Sequence, residues 1–492
     1  MSKKSNTTDL KGFNEKVKAV AEFLAENLKN NAVFRVYSHL DADGLAAAGI
    51  VGLALSNKQA IFRTRILPWL DEKVLNEAAA EKCEVIIFTD LGSGYLDLIK
   101  SKLEARKVVI LDHHPPVGEP NQNIFHVNPH SFGIDGTREI SGAGVSYLTM
   151  KELDPQNIVS SPIAVVGALG DMQDFNQQRT LYGLNNLVVD DAKKAGLLTS
   201  KKDLIFFGHE TRPIHKALAR SMVPFVPGVS GSEGQSYAFL LSIGINPKID
   251  DRWKALRDLT QDEKTKLASA LAEHLLARGM HRQVANLVGE VYTLTAEKEV
   301  TPLRDGREFA TLLNATGRMN KQALGVSLCM GYRGQVVEDA RKMLDDYRAT
   351  IGKYLNWVWN TPGVLEERTN IYVLHGKEEV NDKMVSTIAS TLAFTLPKPE
   401  KPLLAYSYLK PEGIAKLSVR TSEEVVQSGI HLGEIIKAVA EPFKGTGGGH
   451  DIAAGAEVSI PQLEPLIAAF DEAIGQKIRE IKGNAKTPTA SS

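Results

Sequence analysis

Four short segments group side chains able to ligate a cation. His39, Asp41 and Asp43 share His39-Leu40-Asp41-Ala42-Asp43-Gly44. Asp90 follows Thr89, Asp112-His113-His114 are consecutive, and Asp171 opens Asp171-Met172-Gln173-Asp174. Brought together, so many carboxylates repel one another unless cations neutralise them. An oxygen-rich set with imidazoles and no thiolate suits manganese or magnesium better than structural zinc. Two such ions can flank a phosphodiester, activate a water and stabilise charge on the leaving oxygen. Cys83 and Cys329, the chain's two cysteines, form neither a spaced metal motif nor a disulfide framework.

The flanking residues predict how these segments are carried. Val33 to Tyr37, Val85 to Phe88 and Val108 to Leu111 are apolar, β-branched runs that read as buried strands. Each ends at one of the first three polar segments, with His39 to Gly44 read as a turn into an alanine-rich helix. Helical stretches separate the strands, which predicts a parallel, doubly wound α/β sheet. Ligands in such sheets sit at the carboxyl ends of the strands, where distant loops converge. The run Ile163 to Leu169 before Asp171 fits helix or strand equally. Alone, an Asp-x-Asp-Gly is a turn or cap and a His-His pair is polar packing. In this order, each after an apolar run, they point to one site.

Leu10, Phe13, Val17, Val20, Leu24 and Leu28 recur at helical spacing, so a helix starts near Asp9. From about Thr211 prolines and glycines dominate, until Thr260-Gln261-Asp262-Glu263 reads as a capping box before a long helix. This middle region lacks ligand-type clusters. A charged linker helix is expected from about Val336 to Trp357, then a mixed region from about Gly363. The formal net charge of the 492 residues is −1, so any nucleic-acid binding must use a local groove, not a global field. No apolar signal core or bilayer-length span is found, and a soluble cytoplasmic protein is expected. The last residues, 484–492, are small and polar and are expected to be disordered.

Asp112-His113-His114 resembles the signature of the DHH phosphoesterases. His39-x-Asp41-x-Asp43-Gly44 is similar to their first motif, Asp90 to their second and Asp171 to their fourth. His39 stands where bacterial RecJ often has Asp; histidine is the form of other branches. The resemblance implies that His39 and Asp41 hold one ion, that Asp43, His113 and Asp171 hold the other, and that Asp90 bridges. It implies that His114 faces the substrate phosphate and that Asp112 orients its neighbours, with Asp174 ranked below Asp171 as a ligand. Asp90, Asp112 and His114 are therefore the catalytic candidates, with two divalent ions, manganese first and magnesium second, as cofactors.

Two further segments extend the likeness. Leu313-Asn314-Ala315-Thr316-Gly317-Arg318-Met319 resembles an element of RecJ nucleases, with Thr316 in place of the usual alanine. Arg318, read as following a glycine turn, could fork onto a phosphate. Lys416 to Thr421 and the glycine-rich loop Gly445 to His450 resemble the DHHA1 domain. That makes Arg420, Gly447, Gly448, Gly449 and His450 substrate contacts, since glycines let backbone N–H groups approach an anion. The expected domains are a DHH domain (1–210), an inserted partner-binding domain (211–300), the end of the DHH domain with the linker helix (301–360) and an α/β DHHA1 domain (361–483). An insertion so placed is similar to archaeal RecJ-like proteins, among them the GINS-associated nuclease.

The resemblance implies an exonuclease on single-stranded DNA or RNA in replication or repair, with GINS and other replisome proteins as partners and no membrane. Two alternatives stand beside it. A nano-RNase or small-nucleotide phosphatase shares the chemistry, but those chains are generally shorter and lack the insertion. A non-catalytic helicase-associated subunit is the other; such relatives lose metal ligands, whereas every expected Asp and His is present here.

Overall fold

Asp9 caps the first helix by accepting the Gly12 N–H, and α1 (Leu10–Lys29) buries Phe13, Val17, Val20 and Leu24. The structure, a computed structural model, describes residues 8–221, 224–393, 396–449 and 451–484. The chain forms two compact units that divide between Leu344 and Asp345.

The first unit is built on β1 (Val33–His39), β2 (Ile61–Leu67), β3 (Val85–Thr89), β4 (Lys107–Leu111) and β5 (Ile124–Val127). All neighbours are parallel, in the order β2-β1-β3-β4-β5. β3 is buried along its whole length, as a strand covered on both faces must be. The order reverses between β1 and β3, the switch point at which ligand crevices open in such sheets. α2 (Ala42–Asn57), α3 (Glu72–Ala80) and α4 (Leu96–Lys102) connect the strands. The segment expected as a turn into α2 is instead the end of β1 and the first turn of the helix, with Asp41 as N-cap. The near-continuous apolar surface of α2 is buried against α5 (Gly142–Leu153) and α6 (Ser161–Gly170). The undecided run before Asp171 is therefore the helix α6, and Asp171 follows a helix rather than a strand.

After α7 (Leu184–Lys194), β6 (Leu198–Leu204) pairs antiparallel with the distant β9 (Val288–Leu294). Residues 288–294, expected at the end of the inserted segment, thus belong to this ladder. Between the two strands lie α8 (Ile214–Ala219), α9 (Glu233–Ser242), the short pair β7 (Lys248–Ile249) and β8 (Arg252–Trp253), α10 (Gln261–Leu276) and α11 (His281–Val284). They enclose a core of their own, including Ile214, Leu240, Leu267 and Leu271. Thr260 and Glu263 form the expected capping box of α10. α12 (Gly306–Arg318), α13 (Gln322–Cys329) and α14 (Gln335–Asn360) follow, α14 covering the expected linker helix.

The second unit carries a six-stranded sheet. Its elements are β10 (Leu365–Glu367), β11 (Tyr372–His375), α15 (Val385–Ala393), β12 (Leu403–Leu409), β13 (Ile414–Arg420), α16 (Glu423–Gln427), α17 (Leu432–Ala440), β14 (Thr446–Gly449), β15 (Ala453–Ser459) and α18 (Leu463–Asn484). The strand order is β10-β11-β12-β13-β15-β14. The expected disordered tail begins one residue early, since Asn484 ends α18; residues 485–492 lie outside the described residues. Among the described residues no helix is long and apolar enough to cross a membrane.

Candidate metal centre

The carboxyl ends of β1, β3 and β4 deliver three of the four acidic segments to one place. His39 is the last residue of β1, and Asp41 caps α2, accepting the Gly44 N–H at 3.0 Å. Asp43, in the first turn of α2, is 1% exposed. Its two oxygens accept the N–H groups of Gly142 (2.7 Å) and Ala143 (3.0 Å), the first amides of α5. A helix N-terminus favours negative charge, so α5 fixes this carboxylate in place. Asp90 follows β3 with φ +55°, a conformation that costs energy outside glycine and is characteristic of functional sites. Gly142 leaves room for it: a Cβ there would stand 2.7 Å from the Cβ of Asp90.

The side chains form two groups. His39, Asp41 and Asp90 offer ligand atoms within 4.8 Å of one another, and so do Asp43, His113 and Asp171. Asp90 stands between them. Its Oδ2 is 3.7 Å from His39 Nδ1 and its Oδ1 is 3.2 Å from His113 Nε2. Both Asp90 oxygens and His113 Nε2 are buried and make no hydrogen bond. Buried polar atoms are nearly always satisfied, so three orphans within one cluster fit a ligand set. The donors, carboxylate oxygen and imidazole nitrogen without thiolate, fit hard divalent ions.

Without an ion, four of these groups hold protons more tightly than usual. Burial, then the neighbouring Asp90 and Asp171, push Asp43 well above the usual carboxylate range. Asp171 is raised too, by burial and by Asp90 and Asp41. Burial would lower His113, but Asp171, Asp90 and Asp43 outweigh it and raise the imidazole well above its ordinary value. His39 is raised in the same way, burial being outweighed by Asp41 and Asp90.

Asp112 is within reach of the point shared by Asp90, His113 and His114, but its oxygens are already engaged. Oδ2 accepts the Ser93 N–H, and Oδ1 accepts the N–H groups of His113 and His114 and the His114 ring at 2.8 Å. It holds the loop and the ring. Despite burial, Asp112 raises His114 to about 9, so this ring, 47% exposed, is a cation at neutral pH.

Several residues that support the cluster were not singled out as supports in the sequence. The Gly136 carbonyl accepts His113 Nδ1–H at 2.7 Å, which turns Nε2 toward the carboxylates. Gln173 donates to the same carbonyl (2.9 Å) and to Asp171 Oδ2 (3.3 Å), and is itself held by Asn185. Asn314, on α12, accepts the Ala42 N–H beside Asp41. Asp174, the lower-ranked ligand, is not in the cluster; it is buried against Arg307 and Arg179.

Family models match three stretches of the chain. They are the DHH family N-terminal domain at residues 33–170, the DHH-CID domain at 206–288 and the DHHA1 domain at 369–476. The chain belongs to the DHH/DHHA1 family. An uncharacterized protein of Methanocaldococcus jannaschii is 32% identical over 474 residues, 94% of this chain and 99% of that one. RecJ from Thermus thermophilus, solved in complex with Mn2+, shares the fold with a TM-score of 0.55 and 17% identity. The alignment covers 95% of this chain but 55% of that one, so the chain spans about half of that RecJ. CDC45 from Entamoeba histolytica has a TM-score of 0.63 at 11% identity, covering 94% and 99% of the two chains.

In this chain the expected substrate contacts look different from their sequence reading. Gly317 is not a turn. It lies in the last turn of α12, where a Cβ would stand 1.9 Å from the Leu40 carbonyl oxygen, so it lets α12 approach the His39–Gly44 segment. Arg318, half-buried, is the last residue of that helix. Gly447, Gly448 and Gly449 form the edge strand β14, not a loop. Packing explains the glycine at 447, where a Cβ would meet Ile436 O at 3.0 Å. Arg420 ends β13 and donates to Ser390 Oγ and to the Val419 and Ala454 carbonyls. His450 lies outside the described residues.

Proposed function

We propose that this chain is a metal-dependent exonuclease that hydrolyses phosphodiester bonds of single-stranded DNA or RNA. The observation that carries the reading is Asp90: a buried carboxylate with no hydrogen bond, each oxygen facing a different ligand group. In this reading His39 and Asp41 hold one divalent ion, Asp43, His113 and Asp171 hold the other, and Asp90 bridges. Bound there, manganese or magnesium would polarise the phosphodiester and lower the pKa of an attacking water.

The chain's own residues do the rest. His114, kept cationic by Asp112, stands at the exposed side of the cluster and donates a hydrogen bond to a substrate phosphate oxygen. Asp112 orients that ring. α5 holds Asp43, and the Gly136 carbonyl holds His113 in the tautomer that leaves Nε2 as a ligand. Arg318, Arg420, His450 and the backbone of Gly447 to Gly449 are proposed to bind the strand, and the segment between β6 and β9 to dock GINS or another replication protein. The full ligand set favours an enzyme over a non-catalytic replication subunit.

The test is digestion of end-labelled single-stranded DNA and RNA with manganese, with label at either end. Stepwise shortening from one end, abolished by EDTA, supports the reading. Release of phosphate from mononucleotides with intact strands would replace it by the small-nucleotide phosphatase.

A further inference from the structure

His114 sits on a loop that its own backbone cannot hold. It is exposed and lies outside any helix or strand. Pro115 and Pro116 follow it, and neither has an N–H to donate. Yet the proposed reaction needs this ring in one place beside the cluster, so the restraint must come from outside the loop.

Two residues at neighbouring strand ends supply it. Ser93, beyond β3, donates its N–H to Asp112 Oδ2 (2.8 Å) and accepts the Val117 N–H on its carbonyl (2.8 Å), so it pins the loop at both ends. Asn128, the residue after β5, holds the middle. Its Nδ2 donates to the His114 carbonyl (2.8 Å) and to Ser93 Oγ (2.8 Å), and its Oδ1 accepts the His130 N–H (2.9 Å). The last bond fixes the orientation of the amide, because only its oxygen can accept a backbone N–H. Ser93 and Asn128 are both fully buried.

A third buried group completes the chain of bonds. Ser93 Oγ lies 2.9 Å from His126 Nε2. With an Asn128 N–H arriving at Oγ, the hydroxyl proton is directed to that nitrogen, which must then be bare. This suits a ring that burial keeps neutral, its pKa lowered to about 4. Asn128 thus donates to His114 on one side and to Ser93 on the other, and Ser93 donates to His126. These three side chains are not candidate metal ligands, and being buried they do not reach substrate.

We infer that Asn128 is a positioning residue: backed by Ser93 and His126, it fixes the His114 carbonyl and so the place of the phosphate-facing ring. The inference rests on the reading of His114 as that group.

The test is a double-mutant cycle between Asn128 and His114, read as single-turnover cleavage of single-stranded DNA with manganese. Asn128→Ala should slow cleavage about ten- to a hundredfold, the usual cost of losing a group that orients a functional side chain, with bound manganese unchanged. In a His114→Ala background the same change should cost less than about twofold, since the ring it positions is gone. Asn128→Asp keeps the shape and Oδ1 but loses both donors, and should fall as far. Ser93→Ala keeps its backbone bonds, guards against Asn128 variants that do not fold, and should slow cleavage severalfold only while His114 is present. Equal losses with and without His114, or a parent-like Asn128→Asp, overturn the inference. A readout independent of hydrolysis is the spectrum of ring-labelled histidines in the metal-free protein. Asn128→Ala should move the His114 signal and leave that of His375, in the second unit, in place. His126 should show a protonated Nδ1 and a bare Nε2 at neutral pH. A parent that cleaves no strand refutes the exonuclease reading alone. An unmoved His114 signal, or a His126 protonated at Nε2, overturns the inference whether or not strands are cleaved.

Discussion

Two aspartates three positions apart, the half-buried Asp171 and the buried Asp174, sit in opposite electrostatic surroundings. Asp171 faces His113 and other carboxylates, and burial with those acids raises its pKa. Asp174 faces Arg307 and Arg179, and although burial opposes it, the two guanidiniums lower its pKa. One neighbourhood supplies permanent guanidinium cations; the other offers only imidazoles, which can lose their protons to become ligands. A buried acid with an internal arginine is part of the scaffold, whereas a group of buried acids without one is arranged for a cation from outside.

The strongest way to break this contrast is to remove an acid on each side. Asp90→Ala should lower strand hydrolysis by at least about a thousandfold, since residues acting as one unit fail together. Its thermal unfolding should stay close to the parent's. Asp174→Ala should do the reverse. Leaving Arg307 buried and uncompensated should cost about 3–5 kcal/mol of unfolding free energy in urea, with manganese stoichiometry unchanged. If the two variants behave alike in metal binding, the division between scaffold and ligand acids is wrong.

Much of this contrast could be read from residue order, and the reasons it could not all be read are physical. The strands before Asp90 and Asp112 were legible because strands buried on both faces are continuous apolar runs. β2 was not, because at the sheet edge Arg63, Thr64 and Arg65 interrupt the pattern. α6 was ambiguous because a helix buried all round shows no polar face. Gly447 to Gly449 suggested a loop, since glycine is poor in strands, but pairing with β15 and close packing on α17 override that preference. The candidate ligand residues themselves stood out. Their supports did not, because the Gly142 N–H and Gly136 O contacts are backbone groups brought in by the fold.

Smaller effects sharpen the same picture. Gln173→Ala should weaken manganese binding about ten- to a hundredfold, the usual cost of losing a residue that orients a ligand. Equilibrium dialysis would show it, and an unchanged affinity would mean that the Gly136 carbonyl alone suffices. Manganese affinity should also depend on pH. His113 and His39 bind protons more tightly than ordinary imidazoles in the metal-free protein. Those protons must leave when metal binds, so binding tightens as pH rises from 6 toward 8, by about tenfold per unit for each proton displaced. Calorimetry in buffers of different ionisation enthalpy counts the protons; affinity flat across that range would show that neither imidazole is a ligand.

The bridging role of Asp90 is most directly tested by counting ions. Protein freed of metal is dialysed against manganese, and bound metal is measured by atomic emission for the parent and for Asp90→Asn. The account predicts two ions per parent chain and at most one, held weakly, in the variant. Two tightly held ions in both proteins, or none in the parent at millimolar manganese, would contradict it.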